Sequence, residues 1–171
     1  VPDTFIKIAS VTVGSGGASS IDFTSIPSTY TDLVVKLSGR STSAGAGDWV
    51  AIKFNSSSSN YSSRWIEGGS AGVFSFTGAT NRGWIGVMNG SGSTSSTFGS
   101  ADVYVPNYAG SANKSYSVDS TAENNSTSST QELGAGLWSD TSAITSISII
   151  PDNSANFVQY STATLYGIKN S

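Results

Sequence analysis

The chain contains no cysteine and no histidine. The first absence excludes disulfides, thiolate nucleophiles and thiolate-bound zinc. The second removes Ser-His-Asp triads, imidazole metal ligands and histidine acid/base chemistry. Charge is scarce as well: Asp, Glu, Lys and Arg make up 11% of the 171 residues, against about 25% in an average globular domain. The net charge is −3, and the eight basic residues are scattered from Lys7 to Lys169 without a cluster. Neither nucleic acid nor an anionic membrane is therefore an expected partner. No apolar run approaches the roughly 20 residues that span a bilayer. The start, Val-Pro-Asp-Thr-Phe, lacks the basic and apolar regions of a signal peptide, so export by the usual route is not expected.

What is present is hydroxyl and glycine, with Ser, Thr and Gly supplying about two-fifths of the residues. Small uncharged polar side chains are cheap to desolvate, so such a surface packs against a partner without burying unpaired ions. A disordered Ser-rich linker is the bland alternative. The 37% hydrophobic and 11% aromatic content, arranged periodically, argues instead for a folded body. At this length one domain spanning 1–171 is expected, with 1–13 as a first strand or N-terminal arm, and it can bury about 70% of its unfolded surface without staples.

The periodicity is that of strands throughout. Thr4 to Val13 (TFIKIASVTV) is dense in β-branched residues, but its apolar set changes phase from Ile6 and Ile8 to Val11 and Val13, which predicts a bulge near Ala9 or Ser10. Ile21, Phe23 and Ile26 give a short strand ending at Pro27. Leu33, Val35 and Leu37 alternate strictly, and Val34 on the other face predicts a central strand covered on both sides. Val50, Ile52 and Phe54 alternate with Ala51, Lys53 and Asn55 as a strand with one wet face. Short strands then recur at Tyr61–Ile66, Val73–Phe76, Trp84–Met88, Phe98–Val105, Lys114–Ser120, Gln131–Trp138, Ile144–Ile150 and Phe157–Ile168, each bounded by Gly, Asn, Ser or Pro. The polar stretches Ser56–Ser59, Gly90–Thr97 and Asn124–Thr130 read as loops. The two closing runs flank Asp-Asn-Ser-Ala-Asn and predict a terminal hairpin. Together this is an all-β, antiparallel β-sandwich, jelly-roll-like, of about 10–12 short strands with no substantial helix. No repeat of 20–50 residues argues for a propeller or solenoid.

Candidate chemistry is thin. Glu67, Glu123, Glu132 and the eight aspartates could supply the two carboxylates of a glycosidase, but acids spread over a β protein are usually loop and edge residues. Asp152, Asn153 and Asn156 offer oxygen donors for a calcium ion, yet the spacing lacks a second carboxylate and an Asx turn explains the same residues. The six Asn-x-Ser/Thr sequons carry little in a chain about one-third Ser and Thr. Trp49, Trp65, Trp84 and Trp138, with Tyr30, Tyr61, Tyr104, Tyr108 and Tyr116, offer faces for stacking against a sugar ring, as in a carbohydrate-binding module; most are expected in the core or an interface, and Trp65 and Trp84, in glycine-flanked segments, are the candidates for a sugar site. The glycine clusters at Gly14 and Gly45 precede no helix and form no phosphate cradle. No catalytic residue, cofactor or metal site is assigned, and the chain is read as a non-enzyme.

Four segments, in order, are YTDLVVKLSGRS (Tyr30–Ser41), WVAIKFNSSSSNYSSRWIEG (Trp49–Gly68), VYVPNYAGS (Val103–Ser111) and the closing Leu137–Ile168. Their more specific marks are FN…NY (Asn55–Tyr61), PNY (Pro106–Tyr108) and the terminal LYGI. The ordered set resembles virion structural proteins of tailed bacteriophages, especially those of marine bacteria and cyanobacteria. The resemblance implies a β-sandwich used either as a capsid decoration (cement) protein or as part of a tail fibre or tail tip, with no catalytic residues to carry over. The lack of a coiled-coil or repeat stalk favours decoration. A decoration protein would bind the major capsid protein on the outer capsid surface, would form a trimer or dimer, and would be assembled in the host cytoplasm; host glycan is a partner only in the tail reading. Phe5, Ile6, Tyr104 and Tyr108 are the expected interface residues, because terminal arms and aromatic loops commonly anchor contacts.

Overall fold

The computed structural model describes residues 4–69, 72–78, 80–125 and 129–169. Among them lie twelve strands and no helix: β1 (Phe5–Thr12), β2 (Ile21–Phe23), β3 (Asp32–Gly39), β4 (Gly47–Phe54), β5 (Tyr61–Gly69), β6 (Gly72–Thr77), β7 (Gly83–Asn89), β8 (Gly99–Val105), β9 (Lys114–Ala122), β10 (Thr130–Trp138), β11 (Ile147–Pro151) and β12 (Thr162–Ile168). They form two antiparallel sheets. The larger has the order β1-β12-β3-β8-β9-β10-β5-β6 and the smaller β2-β11-β4-β7. This is a β-sandwich, as the strand periodicity predicts. Only β5–β6, β8–β9 and β9–β10 are neighbours both in sequence and in a sheet; every other connection carries the chain from one sheet to the other.

The core follows from period-two alternation. Leu33, Val35 and Leu37 of β3, Ala101, Val103 and Val105 of β8, and Ala163 and Leu165 of β12 face inward from the large sheet. Val50, Ile52, Phe54, Ile147 and Ile149 meet them from the small one. Phe54, Tyr61, Tyr116 and Trp138 close one end as a ring cluster with centroids 5.8–6.3 Å apart. Gly136 makes room there, because a Cβ at that position would lie 1.9 Å from the Tyr116 ring.

Several expectations are corrected. The two closing runs do not form a hairpin: β11 pairs with β2 and β4 in the small sheet, and β12 pairs with β1 and β3 in the large one. Each run has one face for the common core, so packing is satisfied by placing them on opposite layers. β3 is central in its sheet but covered on one face only; Val34 is half-buried in an outward row between Tyr166 and Tyr104. Ala51, expected on a wet face, is fully buried, because the register shifts between Trp49 and Ala51 and sets Ala51 opposite Trp84. The bulge expected in β1 near Ala9 or Ser10 is present, with the register shifting between Lys7 and Ala9. The 90–97 loop wraps the buried Arg40, whose guanidinium donates to the carbonyls of Ser91, Ser93, Thr94 and Thr97. Residues 1–3 of the expected N-terminal arm and 126–128 of the Asn124–Thr130 loop lie outside the described residues.

Candidate interaction surface

The large sheet is wider than the small one, and β6 forms its last strand. All six residues of β6 are exposed, including Val73 at 78%, Phe74 at 44% and Phe76 at 38%. The strand is apolar on both faces. Phe74 lies opposite Glu67 and Phe76 opposite Trp65 on the inward side, while Val73 joins the outward side that also exposes Ile66 and Leu133. Edge strands of soluble proteins are usually blunted by lysine, proline or a bulge. The opposite edge, β1, has both Lys7 and a bulge, whereas β6 (GVFSFT) has none of these.

Beneath the inward side lies a second aromatic cluster, separate from the core. The Trp49 ring is 5.3 Å from Trp65, 5.7 Å from Trp84 and 6.3 Å from Phe76, and Trp65 stacks on Phe76 at 5.8 Å. Trp49 precedes the core residue Val50, and Trp84 lies between the buried Gly83 and Ile85, so the strands themselves turn these rings out of the central core. Trp65 and Trp84, the two residues singled out as sugar-stacking candidates, are thus brought into one half-buried cluster through Trp49, which stands with them among the possible stacking aromatics. The Arg82 guanidinium lies 5.2 Å over the Trp84 ring and donates to Asp152 at 2.8 Å. An open depression of about 520 Å³ runs along β5, β6 and β10, lined by residues of both faces, among them Arg64, Ile66, Phe76, Leu133 and Gly134.

Near the turn end of the β5–β6 hairpin, Glu132 of β10 lies opposite Glu67 of β5. Glu132 is 3% exposed and its carboxyl is pushed up to about 8, chiefly by burial and then by the neighbouring Glu67 charge. Gly86 of β7 roofs it: with φ at +110° it adopts a conformation that L side chains avoid, and a Cβ there would lie 2.0 Å from the Ser120 hydroxyl and 3.3 Å from Glu132 Oε2. Two of the acids named as a formal glycosidase pair therefore meet, but one is sealed between the sheets.

The four expected interface residues separate. Phe5 is exposed, with its ring 4.6 Å from Tyr166, and Ile6 is half-buried on the same edge strand. Tyr104 is exposed, and its hydroxyl donates to Asp32 at 2.9 Å. Tyr108 corrects the reading: it is fully buried and its hydroxyl donates to the Pro27 carbonyl, so it anchors a loop and presents no surface. The other residues in the motifs that carry the resemblance have similar duties. Asn55 Oδ1 accepts from the Thr145 and Ser146 amides, the Phe54 amide donates to the Tyr61 hydroxyl, and the Asn107 amide donates to Asp32. They hold the scaffold; β5 lies almost wholly within the Trp49–Gly68 segment, whereas β6 and Leu133 lie outside all four segments.

No protein-family model, curated protein or solved structure matches this chain.

Proposed function

We propose that the chain is a structural protein of a bacteriophage virion, a capsid decoration protein that binds the outer capsid surface and stabilises the head, with the β5–β6 hairpin as its principal contact. The observation that carries the assembly part of this reading is the β6 edge, apolar on both faces and without any blunting device. A strand with that pattern is suited to lie between two layers. Burying it against the major capsid protein or a second copy removes an aggregation-prone edge and gains apolar contact with almost no charge to desolvate. Repetition over a lattice then makes modest contacts tenacious. The phage assignment comes from the ordered motif set.

A second reading, a tail-fibre or tail-tip domain that binds host glycan, is favoured by one feature, the Trp49–Trp65–Trp84 cluster with Arg82 beside it. Aromatic faces with a nearby fixed donor are what a sugar ring requires. The copy number per purified virion, measured by quantitative mass spectrometry against the major capsid protein, separates the two. Hundreds of copies support a capsid lattice, a few to a few dozen place the protein on the tail, and absence from virions overturns both.

A further inference from the structure

Among the described residues no strand pairs with the outer edge of β6. The ladder on its inner side fixes what that edge offers. The Tyr61 amide donates to the Thr80 carbonyl and the Gly78 amide to the Ser63 carbonyl, in the register that continues as Trp65 opposite Phe76 and Glu67 opposite Phe74. Hydrogen-bonded pairs alternate along an antiparallel ladder, so Phe74 and Phe76 turn their amides and carbonyls to β5, while Val73, Ser75 and Thr77 turn theirs away from the sheet. The small sheet ends at β7, which packs against β8, β9, β10 and β5, so β6 projects past it and a second chain can approach along the strand.

The order of residues in the strand says which chain fits. Val73-Phe74-Ser75-Phe76-Thr77 reads nearly the same in both directions about Ser75, because valine and threonine are alike in shape and both β-branched. A two-fold axis at Ser75 lays such a strand antiparallel on itself: Ser75 meets the partner's Ser75, Val73 the partner's Thr77, and Phe74 the partner's Phe76. Every outward amide and carbonyl of Val73, Ser75 and Thr77 is then used, and the phenylalanine rows of the two chains join as cross-strand aromatic pairs. Any other register leaves part of this edge unpaired. β6 carries no charge, so two chains of net charge −3 meet here without setting like charges face to face. The opposite edge, β1 (FIKIASVT), has no such symmetry and is broken by its bulge.

We propose that two copies of the chain associate through β6, antiparallel about Ser75, so that their large sheets become one continuous sheet. The inference rests on the reading of β6 as a contact edge and names its occupant as a second copy. A contact one short strand long lies at the small end of specific interfaces, below about 1,200 Å² in total, so dissociation in the micromolar range is expected.

The test uses the purified chain alone. Sedimentation velocity should show a monomer–dimer equilibrium that shifts with concentration. Because the chain has no cysteine, single substitutions read the register directly. In Ser75→Cys the two Cα atoms lie about 5.5 Å apart across the axis, within disulfide reach. In Val73→Cys they lie roughly 14 Å apart along the strands, out of reach. Mild oxidation should cross-link Ser75→Cys at least about tenfold faster than Val73→Cys, and Val73→Cys should cross-link readily once Thr77→Cys is added. Equal rates for the two single variants, or a chain that stays monomeric at several hundred micromolar, overturn the inference. A monomer that still binds capsids stripped of this protein overturns it and leaves the proposed function standing; a dimer with the expected cross-links, from a chain absent from virions, does the reverse.

Discussion

Glu132 and Glu67 lie directly opposite one another on neighbouring strands, facing the interior, with Glu132 closed in by Gly86 and Ser120. Because the folded pKa of Glu132 is about 8 and the ordinary value 4.5, the folded chain keeps a proton there that the unfolded chain has lost. The stability this contributes is fully present below the unfolded pKa and is lost as pH rises through the folded one. Denaturant melts should show stability falling between about pH 4.5 and 8, by at most about 1.4 kcal/mol per pH unit from this group. Glu132→Gln should flatten that slope and be the more stable chain at pH 8 to 9. An unchanged slope in the variant would assign the dependence elsewhere.

The β6 edge gives a surface prediction. Val73→Lys with Ser75→Lys places charge on an exposed strand, so Tm should move little, within about 0.5 kcal/mol of stability. If β6 is the contact of the proposed decoration protein, self-association in sedimentation velocity and binding to capsids stripped of this protein should both fall at least tenfold. If both persist, the contact lies elsewhere on the molecule.

Gly86 and Gly136 should be intolerant of even a methyl group. Gly136→Ala drives a Cβ into the Tyr116 ring, and Gly86→Ala combines a close approach to Ser120 with a disfavoured φ. Each should cost about 1–3 kcal/mol by overpacking, with Gly86→Ala at the upper end because of its backbone. Chemical denaturation checks both.

Arg40 organises the 90–97 loop from inside. Arg40→Met keeps the apolar stem and removes the charged donors, leaving carbonyls of Ser93, Thr94 and Thr97 without that partner. A loss of about 3 kcal/mol is expected. Hydrogen exchange should rise first at residues 90–97, and uniform acceleration across the sandwich would contradict a local role.

Strand positions were legible because most strands here have one buried face, and alternation reports that directly. Ala101, Val103 and Val105 against Ser100, Asp102 and Tyr104 is the plainest case. Partnership was not legible. The β11 and β12 runs look like a hairpin because alternation shows which residues face inward but not from which layer. The Tyr108 misreading has the same origin, since an aromatic after Pro106 and Asn107 suits an exposed turn or an inserted plug equally. Trp49 was legible as one of several possible stacking aromatics but not as the link between Trp65 and Trp84, because the register shift at Trp49/Ala51 is a matter of pairing with β7.

The separation of β11 and β12 onto different layers governs the order of folding. β12 is inserted between β1 and β3, and β11 between β2 and β4, so each fills a gap between strands made at the other end of the chain. Until residues 147–168 have been synthesised, β1 and β2 have no neighbour to pair with and the two halves of the interior remain open to water. The fold therefore closes late and from the middle, with loop-closure entropy over more than a hundred residues paid before the pairing is gained. A chain halted short of β11 should behave as a collapsed, proteolytically soft intermediate rather than as a smaller sandwich.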